Sequence, residues 1–359
     1  MDRRTFLKTS TAAAVSQALP FSISAAVEWR AYETVTRVEL QWPKGVSRAW
    51  VPLPLTDDTS WHKTLGNTWS GNASRAQVLS DGKYGVAMLY AEWRDSADTP
   101  VVEVTSRFMT RGRAVDLSKP DSAVANLSAA DRAFYTAPTE LIPTDGIVRK
   151  TALKIAGNSK TDVEKARAIY EWVVDNTFRD PKTRGCGWGD IKSMLESGNL
   201  GGKCGDLNAL YVGLARAVGV PARDVYGVRV AASDYGYRSL GVGSANVTRA
   251  QHCRAEFFAR GFGWVPVDPA DVRKVVLEEP PGNLPIKDAK VEAARKRLFG
   301  SWEMNWLAYN RGHDLKLPNS SGPKLPYLMY INAETGGEML DQLDPDSIKY
   351  SITARAIQV

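Results

Sequence analysis

The sequence has few of the residues that build disulfide scaffolds and metal centres. It contains three cysteines, Cys186, Cys204 and Cys253, and three histidines in a chain of 359 residues. The cysteines are too few for the disulfide framework of a small secreted domain, and none has the Cys-x-x-Cys spacing of a metal site. We therefore expect no bound metal, and no motif indicates an organic cofactor.

The sequence also has only a small excess of positive charge and no long apolar runs. The formal net charge is +6, and neither a block of Lys and Arg nor a helix with a basic stripe accompanies it. Nucleic-acid binding therefore has little support, although a partner with a mildly anionic surface stays compatible with this charge. No stretch reaches the roughly 20 apolar residues that cross a bilayer, so we expect no membrane span.

The N-terminal segment, residues 1–26, resembles an export signal of the twin-arginine type. Arg3 and Arg4 precede a weakly apolar stretch from 9 to 23, and small residues follow it. A basic start, a short apolar segment and small residues at a cleavage site are typical of signal peptides. The resemblance implies export by the twin-arginine machinery, a mature chain beginning near Val27, and a periplasmic or otherwise exported location.

The chain is long enough for two domains, because a single hydrophobic core usually stops growing below this size. Strand patterns occur in four early segments: 33–42, 48–52, 84–91 and 101–108. They predict a β-sandwich over 27–118, and a proline-bearing linker at 116–146 follows it. We predict a catalytic core at 119–300 and a C-terminal extension with terminal strands at 301–359.

Within the predicted core, helices come before strands. The patterns predict helices near 161–178, 204–218 and 287–298, strands at 223–231, 252–259 and 264–267, and terminal strands near 327–331 and 349–357. Helices followed by antiparallel strands favour an α+β fold over an alternating βαβ arrangement.

Cys204 stands where an amphipathic helix is predicted to begin, directly after Gly201, Gly202 and Lys203. Free backbone N–H groups and the helix dipole concentrate positive potential there, which together with Lys203 favours the thiolate. The same N–H groups can hold an oxyanion, and the glycines leave room for a substrate chain. The alternative is that Cys204 is simply a small buried residue at a helix start.

Elimination among the three histidines favours His252 as the base for this thiol. His62 lies in the β-domain, and His313 lies in a late loop. If residues 260–262 form a three-residue hairpin loop, His252 becomes the diagonal same-face neighbour of Asp268, whereas a two-residue turn would put them on opposite faces. The alternative is that His252 is only a residue of the strand and that Asp268 only forms a turn.

Two segments resemble the core motifs of the transglutaminase-like superfamily. They are Gly201-Gly-Lys-Cys204-Gly-Asp-Leu-Asn and Gln251-His252-Cys-Arg-Ala-Glu-Phe-Phe, the second followed by Gly263-Trp-Val-Pro-Val-Asp268-Pro. The resemblance covers about 150–272 and implies a papain-like core that transfers acyl groups through a thioester. It also implies that Cys204, His252 and Asp268 are the catalytic cysteine, histidine and aspartate.

The resemblance leaves several residues open. The second oxyanion donor is not fixed, and Trp188 and Gln251 are candidates. Arg254 stands where many members have an aromatic residue, which fits either an acidic or polar substrate side or simple framework pairing. A disulfide between Cys186 and the nucleophile would silence the enzyme, but burial as small apolar residues explains Cys186 and Cys253 equally well.

The expected reaction is attack of the thiolate on an amide carbonyl of a protein or peptide, with cell-envelope peptides among the candidate substrates. Water would resolve the thioester in a peptidase or amidase, and an amine would resolve it in a crosslinking transferase. The sequence does not decide between the two. The alternative of a different class is a catalytically silent envelope binding protein on the same fold.

Overall fold

The computed structural model describes residues 28–94 and 98–359. The predicted export signal at 1–26 lies outside the described residues. Within them, no helix is both long enough and apolar enough to cross a membrane.

The described chain contains both strands and helices. The strands are β1 (Arg30–Leu40), β2 (Ser47–Pro52), β3 (His62–Gly71), β4 (Arg75–Ser80), β5 (Ala87–Trp93), β6 (Val101–Thr110), β7 (Arg113–Ala114), β8 (Phe178–Arg179), β9 (Gly201–Gly202), β10 (Ala222–Arg229), β11 (Gln251–Ala259), β12 (Gly263–Val267), β13 (Ser301–Trp302), β14 (Trp306–Asn310), β15 (Asn332–Thr335), β16 (Glu338–Met339) and β17 (Ile348–Ile357). The helices are α1 (Ala129–Thr136), α2 (Gly146–Ala156), α3 (Asp162–Asn176), α4 (Ile191–Ser197), α5 (Cys204–Ala217), α6 (Pro269–Glu278) and α7 (Ala289–Arg297).

Strands from both ends of the chain form a β-sandwich. One antiparallel sheet has the order β17-β1-β6-β3, and the other has the order β16-β15-β2-β5-β4. Buried side chains that include Val38, Leu89 and Ile352 fill the core between them. Strands of the segment 301–359, which we predicted as an extension, therefore complete both sheets of the sandwich.

The α+β unit packs its helices on the antiparallel sheet β12-β11-β10-β14. Helix α5 is buried along its whole length, because α2 and α3 contact it as well as β10 and β11. Leu210 and Leu214 of this helix share a core with Phe257 of β11. The helix that carries Cys204 is thus held by neighbours on all sides, which fixes the position of its first turn.

Several elements escaped the sequence patterns. Strand β3 is largely exposed, so it lacks the apolar alternation that marks a half-buried strand. Helix α6 begins at Pro269 with Asp268 as its N-cap, a start signal that we did not use. The strand predicted at 327–331 is wrong, because the chain there has no regular structure and β15 begins at Asn332.

Candidate active site

Cys204 is the first residue of α5, as the sequence predicts. The carboxylate of Asp206 accepts the backbone N–H groups of Lys203 and Gly189, each at 3.0 Å. The backbone N–H of Gly205 donates to the carbonyl oxygen of Cys186 at 2.7 Å. These bonds fasten the loop that carries Cys186 onto the start of the helix, directly beside the Cys204 thiol.

The three cysteines meet in one buried cluster, and all are free thiols. The pKa of Cys204 lies well below its ordinary value. Hydrogen bonding with Cys186 and with Cys253 lowers it most, burial opposes this effect, and His252 lowers it further. The bond to Cys204 and burial raise the pKa of Cys186, and burial raises that of Cys253. These opposite pKa shifts favour the thiolate on Cys204 and the neutral thiol on its two neighbours, and the Cys186 thiol also donates to the backbone oxygen of Gln251 at 3.5 Å.

His252 faces Asp268 across the β11–β12 hairpin. Strand pairing of Ala259 with Gly263 confirms the predicted three-residue loop at 260–262. The Nε2 atom of His252 lies 2.7 Å from Oδ2 of Asp268, and both side chains are buried. Because Nε2 is engaged by Asp268, Nδ1 is the ring nitrogen left for Cys204.

Asp271 is a second carboxylate beside His252, which the sequence analysis missed. Its Oδ1 atom lies 3.4 Å from Nε2 of His252, and its two carboxylate oxygens accept from Nη2 of Arg229 at 2.6 and 2.7 Å. Burial and Arg229 lower the pKa of His252, but Asp271 and Asp268 together raise it by more. The imidazolium is thus favoured next to the thiolate, as in an ion pair.

Two polar side chains and the helix cap formed by Asp268 itself hold the histidine and aspartate in place. The indole N–H of Trp306 donates to the backbone oxygen of His252 at 3.0 Å. The amide of Asn208, one turn along α5 from the cysteine, donates to the Cys253 oxygen at 2.8 Å. Asp268 also caps α6 by accepting the backbone N–H of Asp271 at 3.0 Å. Nothing in the sequence marks Trp306 or Asn208 for these roles, since they depend on tertiary packing.

The carboxylates beside His252 could also hold a metal ion, contrary to the expectation that no convergent ligands exist. His252, Asp268 and Asp271 offer ligand atoms within 4.8 Å of one another. However, Arg229 lies 2.6 Å from Asp271, and Nε of Arg254 lies 3.9 Å from Asp268. These guanidinium groups already supply the positive charge that a cation would bring, so we interpret the group as a histidine with its orienting carboxylates.

A cleft of about 590 Å³ opens over Cys204 and His252. Among the residues that the structure describes, its lining includes no Asp or Glu, and it includes these basic side chains: Arg179, Arg184, Lys203, Arg229, Arg249, Lys274 and Lys349. Strand β17 contributes part of one wall, so the sandwich and the α+β unit share the cleft.

The two candidates for the second oxyanion donor lie in different surroundings. The amide nitrogen of Gln251 lines the cleft but donates to the Thr248 oxygen at 3.0 Å. Trp188 is 63% exposed and lines a separate small cavity. In the first turn of α5, the N–H of Gly205 already binds Cys186. The backbone N–H of Cys204 itself is therefore the first-turn donor without an acceptor in the described part of the chain.

In the described part of the chain, the remaining sequence candidates do not line the cleft. Arg254 donates to the Glu303 oxygen at 3.0 Å and packs over Trp306, which favours framework pairing over substrate contact. Burial lowers the pKa of His62 to about 3 inside the sandwich. His313 pairs with Asp224 at 3.3 Å and, like His62, does not line the cleft. His252 is thus the histidine that the fold brings to Cys204.

Comparison with known proteins agrees with this architecture. The family model described as the transglutaminase-like superfamily matches residues 149–269, which include all three candidate catalytic residues. A Haemophilus influenzae protein recorded as uncharacterized is 36% identical over 345 residues, covering 91% of each chain. The chain belongs to the transglutaminase-like superfamily.

One solved structure extends the likeness beyond the superfamily core. A candidate cysteine protease from Cytophaga hutchinsonii superposes with a TM-score of 0.58 over 92% of each chain, at 13% identity. At that identity the likeness shows the fold alone. The α+β fold with a transglutaminase-like core and an N-terminal sheet domain is therefore confirmed, and superfamily membership supports thiol-dependent acyl transfer or proteolysis at a general level.

Proposed function

We propose that this transglutaminase-like protein is a thiol hydrolase that cleaves amide bonds of peptides through a thioester on Cys204. One observation carries the proposal. Cys204, whose thiol pKa is lowered, stands at a helix start, and it faces the same cleft as His252, which is bound to Asp268 at 2.7 Å. A nucleophile, a base and a residue that orients the base are the parts that covalent acyl transfer requires.

In the proposed reaction the Cys204 sulfur attacks the amide carbon, and the backbone N–H of Cys204 donates to the resulting oxyanion. His252 gives its proton to the departing amine as the C–N bond breaks, leaving a thioester. The neutral imidazole then takes a proton from water, whose oxygen attacks the thioester. Release of the carboxylic acid restores the thiolate and the imidazolium, with Asp268 orienting the ring in both steps.

The charge of the cleft favours water over an amine as the acyl acceptor. Alkyl amines such as the lysine side chain are protonated near neutral pH. The described lining of the cleft has basic groups and no carboxylate, so it repels such a cation, whereas it does not repel water. Hydrolysis therefore has more support than crosslinking to lysine.

The choice between water and amine can be tested by product analysis. The protein would be incubated with amide peptides and excess lysine methyl ester, and the products resolved by mass spectrometry. We expect free acids to predominate and Cys204→Ala to form neither product. Predominance of amine conjugates would make the protein a transferase. No turnover, together with Cys204 alkylation no faster than that of a free thiol, would favour the silent binding protein.

We also propose that the chain is exported by the twin-arginine machinery, on the strength of residues 1–26. Replacing both Arg3 and Arg4 by lysine should leave the protein in the cytoplasm, while the unchanged chain reaches the periplasm. Cell fractionation measures the difference, and equal export of the two proteins would contradict the proposal.

A further inference from the structure

The basic side chains of the cleft have too few carboxylates to neutralise them. Lys274, at 3.7 Å, and Arg179 share the single carboxylate of Glu278. Among the described residues, neither Lys203 nor Arg249 forms an ion pair. The Nζ atom of Lys203 instead donates to the Thr183 backbone oxygen at 2.7 Å. Positive charge therefore remains after internal pairing.

The other basic residues pair with carboxylates that lie outside the lining of the cleft. Arg229 is bound to Asp271 at 2.6 Å. Arg184 binds Asp341 at 2.6 Å. Lys349 lies 3.3 Å from Glu39, a carboxylate that also binds Arg37 at 2.9 Å. These carboxylates do not line the cleft, whereas their cationic partners do, so the surface that meets a ligand is cationic.

Burial sharpens this electrostatic effect in the depth of the cleft. Desolvation, followed by the charge of Arg229, lowers the pKa of Lys274. The side chain of Lys274 is 19% exposed and that of Arg179 is 14% exposed. An anion bound beside them would interact through a partly dehydrated medium, where an ion pair is stronger than at an open surface.

We propose that the cleft selects anionic acyl donors, namely peptides that carry carboxylates close to the amide bond that is cleaved. The inference rests on the proposed function, which supplies the amide. Carboxylates complement the unpaired charges of Arg249 and Lys203, and the uncharged lining from Tyr330, Leu343 and Tyr350 can pack on the aliphatic parts of the chain. The substrate class is thus an acidic peptide.

A matched peptide series tests the proposal. The peptides share one central amide and have Glu, Gln or Lys on both sides of it, and each is made with a C-terminal acid and with a C-terminal amide. We expect kcat/KM to be roughly tenfold higher for Glu than for Gln at low salt, and lower still for Lys. The preference should shrink at 0.5 M salt, because screening shortens the range of the interaction.

Two variants assign the preference to the cleft. Arg249→Gln, an exposed position without an ion pair, should reduce the ratio of Glu to Gln peptide kcat/KM by roughly threefold. Lys154→Gln, on the exposed side of α2 and outside the cleft, should leave that ratio unchanged. A higher kcat/KM for the peptides with a C-terminal acid than for those with a C-terminal amide would identify the α-carboxylate as the recognised group. Equal kcat/KM for the two forms would identify the glutamate side chains.

Binding to Cys204→Ala, followed by fluorescence anisotropy of labelled peptides, separates this inference from the proposed reaction. Tight binding of the Glu peptide without turnover by the unchanged protein would remove the hydrolase proposal and keep the anionic selectivity. Turnover with equal kcat/KM for Glu and Gln peptides, and equal affinities for the variant, would overturn the selectivity and keep the hydrolase.

Discussion

At the scale of single residues, the Cys204 thiol is surrounded by groups that stabilise its charged form. Cys186 and Cys253 lower the pKa of Cys204, and the charge of His252 adds to this effect. The sequence singles out Cys204 by its predicted helix start and glycine neighbours, and it singles out His252 by elimination and by the family motif. Asp271 and the donor role of Cys186 were not predictable, since they arise where distant segments meet.

Replacing Cys186 by alanine should raise the pKa of Cys204, because it removes the hydrogen bond that lowers this pKa most. A thiolate forms above the pKa of its thiol, so the loss of reactivity should be largest on the acid side. At pH 6 we expect iodoacetamide to alkylate Cys204 at least about threefold more slowly in Cys186→Ala.

Peptide mass spectrometry distinguishes alkylation of Cys204 from that of the other thiols. Cys253→Ala is the matched control. It should slow the alkylation of Cys204 less, because Cys253 lowers the pKa of Cys204 less than Cys186 does. Equal alkylation rates for Cys186→Ala and the unchanged protein across pH 5 to 9 would show that Cys186 does not support the thiolate.

At the scale of elements, helix α5 and the β11–β12 hairpin bring the candidate residues together. The helix start was predictable, because glycine positions and apolar periodicity specify it locally, whereas the sequence left the hairpin loop open between three residues and two, and the structure has three. The N-terminal cap of α6 by Asp268 was missed, although the following Pro269 is a typical first helical residue. Asp268 thus ends a strand, begins a helix and orients His252.

Gly205 lets the Cys186 loop lie against the start of α5. A Cβ atom there would lie 2.6 Å from the backbone oxygen of Cys186 and 3.1 Å from that of Gly187. We expect Gly205→Ala to displace this loop and lower kcat/KM tenfold or more, since about 1 Å of misplacement can cost 10²-fold. Circular dichroism should show intact helix, because alanine is a better helix former than glycine.

Gly213→Ala in the same helix is the control for this variant. Its Cβ atom would meet the Ile191 side chain, which can rotate, rather than backbone. It should lower stability yet keep kcat/KM within about threefold of the unchanged protein. Similar losses of kcat/KM in both variants would mean that the contact between Gly205 and Cys186 has no special importance.

At the scale of the whole molecule, the two ends of the chain form one sandwich that contributes to the cleft. Strand β17 pairs antiparallel with β1, and the paired residues run from Ala31 opposite Ile357 to Leu40 opposite Ile348. The terminal strand itself was predictable from its alternation, but its partner was not. Alternation identifies the buried face of a strand, and it carries no information on which distant strand completes the sheet.

Ile352 tests the contribution of this terminal strand. It is 1% exposed in the sandwich core, so Ile352→Ala should reduce the free energy of unfolding by about 2–4 kcal/mol. The neighbouring Thr353 is exposed, and Thr353→Ala should change the free energy of unfolding by less than about 1 kcal/mol. Urea unfolding measures both, and equal losses would show that β17 does not pack into the sandwich core.

The central claim is that an acyl group passes through the sulfur of Cys204. Mixing the protein with a cleavable peptide, stopping the reaction with acid and measuring intact mass tests this most directly. We predict an added mass equal to the acyl half of the peptide, located on Cys204 after digestion and absent from Cys204→Ala. An adduct on another residue, or undiminished peptide cleavage by Cys204→Ala, would contradict the claim.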